Sequence, residues 1–277
     1  MEKSYYQEVR PSEALKPFVQ HYWILESRGP ATLGTADKVL PYGHPEIGFI
    51  YGDDYRFYQE GQEPALLPKS FVAGQFCQSY FLEPTGATGV IGIKFSPTGL
   101  FDLFQVSMQG LTNRITDFVE LGGDEAEEMA RDIIAATPND RRIEVIEAYL
   151  LGKLAKRKAQ MGLMQRTVDM ILKEIGNVSL SDICEKVNIS SRQLERKFKE
   201  QIGLSPKLFS RVVRVNHAMK LLRTNPEYNW QDIIYLCGYY DQAHFIKDFK
   251  DIAGECPTMY LTRSYSPNAG FRSAYAA

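Results

Sequence analysis

Residues 179–209 read SLSDICEKVNISSRQLERKFKEQIGLSPKLF, and residues 229–260 read NWQDIIYLCGYYDQAHFIKDFKDIAGECPTMY. The two stretches state one plan twice. Asp182-Ile183 returns as Asp232-Ile233, and Leu194, Phe198, Gly203, Pro206 and Phe209 return as Phe245, Phe249, Gly254, Pro257 and Tyr260. The second central turn is one residue longer than the first. Two copies are too few for a solenoid, so the repeat reads as a duplicated small helical unit.

Each copy predicts helix, turn, helix. Ser179 with Asp182 caps the first helix, Asn188 tolerates the left-handed turn, and Ser190 with Gln193 forms a capping box for the second helix. Gly203 and Pro206 stop it. In the second copy Asn229 caps, Gly238 turns, Asp241 caps again, and Gly254 with Pro257 stops. Such a pair is the helix-turn-helix, whose second helix can enter a DNA major groove.

On that second helix Leu194, Phe198 and Ile202 share one face and predict a core contact. Arg192, Arg196 and Lys199 share another, and three cations on one stripe suit a polyanion. The same stripe in the second copy carries Ala243, His244, Lys247 and Lys250. A charged helix face is usually no more than solvated surface, but two matched units argue for more. Residues 186–223 hold ten Lys or Arg against two acids, Glu195 and Glu200, within a chain of net charge −2. Phosphate contact needs only such a local patch. Residues 206–224 predict one continuous helix about 28 Å long, comparable to the roughly 34 Å between successive major grooves on one face of DNA.

These residues resemble the DNA-binding domain of AraC/XylS-type transcriptional regulators. The likeness covers roughly residues 163–263 and rests on SSRQLERKFKEQIGLSPKLF and GYYDQAHFIKDFKDIAGECPTMY. It implies that the helices starting near Ser191 and Gln242 both enter the major groove. Arg192, Glu195, Arg196, Ala243, His244 and Lys247 would then face bases. Lys199, Arg211, Arg214 and Lys250 are expected on phosphates. The chain departs from the pattern at Ala243-His244, where Arg or Ser is common, and around Met259-Tyr260-Leu261, where an Arg is common.

The 277 residues suggest two domains. Residues 1–158 hold 16 basic and 22 acidic side chains, the remainder 16 and 12. An acidic front and a basic back fit a sensing or oligomerisation domain (1–158) ahead of a DNA reader (159–265), with a disordered tail at 266–277. The boundary is expected in LAKRKAQMGLM, residues 154–164. The front half predicts strands at 17–25, 46–52, 55–59, 70–76 and 88–96, short, aromatic and β-branched. Helical periodicity follows Pro97 and recurs at 123–136 and 139–158. The expected class is α+β: a mainly-β barrel or sandwich with flanking helices, then an all-α domain. PFVQHYW and IGIKFSPTGLFDLF also resemble the front regions of one branch of the same regulators, which implies sensing of a small-molecule effector. Trp23, Tyr42, Tyr51 and Phe95 are the expected pocket lining.

Three further readings belong here. His21, His44 and Glu46 raise a metal-dependent enzyme, but the HPE spacing lacks the His-x-His pair that such a barrel site wants, so neither metal nor other cofactor is expected. A few AraC-like domains are fused to alkyl-transferring repair cysteines, yet Cys77 in GQFCQSYF lacks basic neighbours to activate a thiolate. Ile143, Ile146, Leu150 and Leu154 form an apolar stripe that either packs on its own domain or pairs two chains into a homodimer. The polar opening MEKSYYQEVRP shows no signal peptide, and no apolar run is long enough to span a membrane. The expectation is a cytoplasmic, non-enzymatic regulator. It would bind double-stranded DNA and either contact RNA polymerase or block it.

Overall fold

The computed structural model describes residues 5–27, 36–156, 162–225 and 227–264. The expected tail and residues 157–161 of the expected boundary lie outside them.

The front half builds two antiparallel sheets. One contains β1 (Tyr5–Val9), β2 (Val19–Glu26), β4 (Glu46–Ile50), β7 (Ser70–Ala73), β9 (Gly89–Phe95) and β10 (Ile115–Asp117), in the order β1-β2-β9-β4-β7-β10. The other runs β3 (Asp37–Val39), β8 (Tyr80–Pro84), β5 (Tyr55–Gln59), β6 (Ala65–Leu66). Among the described residues the sheets do not close on each other, so of the two expected forms the layered sheets are present rather than the barrel. Central strands β4 and β9 are buried along their whole length, as a strand covered on both faces must be.

One face of the larger sheet packs on helices α1 (Gly99–Phe104), α2 (Phe118–Ala135) and α3 (Asn139–Ala155) through Ile47, Phe49, Ile91, Ile93 and Phe95. The other face meets the smaller sheet through Trp23, Phe71, Tyr55, Tyr80 and Leu82. Gly48 and Gly92 stand opposite each other in the register. A Cβ at Gly92 would lie 2.1 Å from the Trp23 ring, and one at Gly48 would lie 2.3 Å from that of Phe71. Glycine there admits two bulky rings between the sheets.

Helix α2 begins five residues before the expected start. It bends at Gly123, whose φ of 59° breaks the helical run. The stripe on α3 belongs to the core: Ile146 and Leu150 are fully buried, and Ile143 and Leu154 pack beside them. That removes the dimer seam read from the same residues.

The back half is all helix: α4 (Leu163–Lys173), α5 (Leu180–Val187), α6 (Ser191–Ile202), α7 (Pro206–Thr224), α8 (Trp230–Leu236), α9 (Gln242–Ala253) and α10 (Pro257–Ser264). Two cores divide it. Val168, Ile183, Leu194, Phe198 and Phe209 join α4 to α7, while Val215, Ile233, Phe245, Phe249 and Tyr260 join α7 to α10. Helix α7 serves both.

The two halves dock closely. Lys38 Nζ lies 2.8 Å from Glu255, with both side chains more than nine-tenths buried. Asn216 donates to the Pro41 carbonyl at 2.8 Å, and Leu40 packs on the α7–α10 core.

Candidate nucleic-acid interface

The caps expected from sequence set the ends of both second helices. Ser190 accepts from the Gln193 N–H while the Gln193 side chain accepts from the Ser190 N–H, completing a capping box on α6. Asp241 accepts from the His244 N–H at the start of α9. Asn188 turns at φ 53° and Gly238 at φ 65°. Gly203 and Gly254 close the two helices at φ 91° and 74°. At each helix end a residue able to take the left-handed backbone stands where the turn requires it.

Helix α6 buries Leu194, Phe198 and Ile202 and leaves Arg192, Arg196 and Lys199 exposed, with Glu195 half-buried. Arg196 approaches Glu200 at 4.0 Å, an exposed pair that leaves the guanidinium available. Helix α9 buries Phe245, Phe249 and Ile252 and exposes Ala243, His244, Lys247 and Lys250. The His244 ring meets Tyr239 edge-on at 5.2 Å, and its Nε2 lies 3.8 Å from Asp248. The structure thus brings the six base-facing candidates onto the outer faces of the two matched helices, together with Lys199 and Lys250.

The other two phosphate candidates are placed differently. Arg211 on α7 bridges to Asp248 at 2.8 Å and Asp251 at 2.6 Å, both on α9. Arg214 donates to the Gly176 carbonyl at 3.0 Å, and its guanidinium lies over the Tyr239 ring at 5.0 Å. Both cations tie elements of the back half together. Their partners lie 25 to 40 residues away in the chain, which no local spacing discloses.

The four expected pocket residues do not converge. Phe95 faces the helices while Trp23 faces the smaller sheet. Tyr42 packs on the inter-sheet layer with Lys94 over its ring at 4.9 Å. Tyr51 lines a shallow pocket with Glu26, Asp53 and Thr88, and the other three do not line it. Alternation along β2 and β9 had already separated Trp23 from Phe95, since neighbours in register with opposite parity face opposite ways.

His44 donates from Nδ1 to the Phe95 carbonyl at 2.9 Å. Burial, with Lys94 nearby, pushes its pKa down to about 3. His21 lies 3.6 Å from Glu8. Among the described residues no group of three or more His, Cys, Asp or Glu could hold a metal. Burial pushes the Cys77 thiol up, the opposite of what a transferring thiolate requires.

Residues 183–263 match the family described as a helix-turn-helix domain, and residues 7–117 match a domain of unknown function, DUF6597. The transcriptional activator RhaR of Pectobacterium carotovorum is 39% identical over 83 residues, which are 29% of this chain and 28% of that protein. RhaR of Yersinia pseudotuberculosis is 34% identical over 84 residues, covering 30% and 29%. The chain therefore spans less than a third of the length of these curated relatives. Fatty-acid-bound ToxT from Vibrio cholerae aligns with 87% of this chain and 94% of its own at 12% identity and a TM-score of 0.49.

Proposed function

We propose, from the premise that this chain belongs to the AraC/XylS-type regulators through its C-terminal helix-turn-helix domain, that α6 and α9 are recognition helices placed in successive major grooves of one DNA site. One observation carries the proposal. Each helix is buried on its apolar side by a core of its own and turns a cationic or small-residue stripe outward. Arg192 and Arg196 have the forked donors that hold a guanine edge. Glu195 accepts from cytosine, and Ala243 offers a methyl contact to thymine. Helix α7, about 28 Å long at the usual rise, suits the groove separation. In this reading the front half senses a small-molecule effector and passes its state to the reader. The protein then acts on transcription by contacting RNA polymerase or by blocking it; the curated relatives are named transcriptional activators.

Selection of bound sites from random DNA tests the reading. The expected result is a site with two blocks of preferred bases about one helical turn apart. Binding to that site should weaken steeply with salt, by about 0.9 log unit per log unit for each phosphate neutralised. An absence of any enriched sequence, or a flat salt response, would reject the proposal.

A further inference from the structure

A helix leaves its last carbonyls without partners. On both proposed recognition helices the front half supplies a donor to this end, to one carbonyl on α6 and to two on α9. Thr112 donates its hydroxyl to the Gly203 carbonyl at the end of α6, at 2.6 Å. Ser79 donates its hydroxyl to the Ala253 carbonyl at 3.0 Å and its N–H to the Ile252 carbonyl at 2.9 Å, at the end of α9. The contacts are tight. A Cβ on Gly203 would come within 2.9 Å of the Met108 carbonyl and 3.1 Å of the Thr112 hydroxyl. Gly203 and Gly254 are equivalent positions of the repeat, and the carbonyls held on α9 belong to the two residues just before Gly254, so one domain grips both copies within the last turn of the helix.

We infer that Ser79 and Thr112 are positioning residues for DNA reading: the front domain holds both recognition helices by their C-terminal ends and so fixes the spacing between the base blocks they read. The inference rests on the proposed reading of α6 and α9. Both anchors lie away from the outward stripes, so gripping and reading are compatible. The leverage is large. Arg192 stands ten residues from the end of α6, about 15 Å along the axis. A pivot of about 10° at the anchor would move it by about 2.6 Å, close to the rise of one base pair, roughly 3.4 Å.

The anchors also hang from different sheets. Ser79 immediately precedes β8 of the smaller sheet, and Thr112 lies three residues before β10 of the larger. Lys38 on β3 adds its buried contact to Glu255 beside the Ser79 anchor. A shift of one sheet against the other therefore changes the separation of the readers, which α7 and α8 join along the chain.

The test uses the full chain and a set of duplexes carrying the selected base blocks, with the spacer between them lengthened or shortened by one or two base pairs. Wild type should prefer one spacer by about tenfold or more. Ser79→Ala with Thr112→Val should flatten that preference several-fold while the preferred bases within each block stay the same. Thr112→Ser and Ser79→Thr keep the hydroxyls and should restore the preference. General destabilisation would lower affinity at every spacer alike and leave their ranking intact. If the double variant does not fold, each single variant tests its own anchor by the same measure. An unchanged spacer ranking in the hydroxyl-deleted variants overturns the inference. It leaves the recognition-helix reading standing if Arg196→Ala still alters base preference. A wild type with no preferred sequence overturns both.

Discussion

At the scale of single residues, charge alone does not tell a reader from a strut. Arg196 and Arg211 look alike in sequence, yet the first is exposed and the second bridges Asp248 and Asp251. Arg196→Ala should weaken binding by about 1–3 kcal/mol and relax preference at one base position, measured by competition among point-substituted sites. Arg211→Ala should instead lower folding stability by about 2 kcal/mol. It strands the buried Asp248, and urea unfolding would show the loss. It should leave base preference unchanged. If Arg211→Ala behaved like Arg196→Ala, the strut reading would be wrong. A second residue-scale prediction concerns acid. The ordinary pKa of histidine is 6.5 and that of His44 in the fold is about 3. Between those values the unfolded chain binds a proton there that the native chain does not. Stability from this group is complete above about pH 6.5. It falls as pH drops toward 3, by up to about 1.4 kcal/mol per pH unit. His44→Gln should shallow the slope of unfolding free energy against pH in that window; an identical slope would show that His44 titrates normally.

At the scale of elements, the sequence was most legible where local rules act. Residues 206–224 form one helix as expected, and the capping box at Ser190 and the turns at Asn188 and Gly238 lie where the residue types placed them. Strands β4, β5 and β9 emerge close to their expected bounds because they are β-branched, aromatic and punctuated. Strands β1, β3, β6, β8 and β10 were not read. YYQEV has no clean alternation, DKV and ITD are three residues long, and AL is two. They exist because a neighbouring strand supplies hydrogen-bond partners. The stripe on α3 was legible as apolar, but not what covers it. Leu150→Ala should cost about 2–5 kcal/mol in unfolding free energy, the range for a buried leucine. A dimer seam would answer differently, with a lower sedimentation coefficient and little change in unfolding. A further prediction compares the two readers. Arg192, Glu195 and Arg196 carry more hydrogen-bonding groups than Ala243, His244 and Lys247, so the base block under α6 should hold more information than that under α9. Equal information in both blocks of a selected site would count against the assigned stripes.

At the scale of the whole molecule, nothing local could have disclosed how the halves meet. Ser79 and Thr112 sit in loops without any recognisable signature, and their partners are 174 and 91 residues away. The halves are held by direct contacts between them. Those contacts are of a particular kind. At both anchors the acceptor is a main-chain carbonyl, a group that every amino acid supplies. The grip on α6 and α9 is therefore indifferent to what side chains the outward stripes carry. If the proposed stripes read bases, descendants of this gene can rewrite Arg192, Arg196, Ala243 or Lys247, and with them the address on the genome, without renegotiating the attachment to the front domain. Operator choice and inter-domain mechanics are free to evolve on separate clocks.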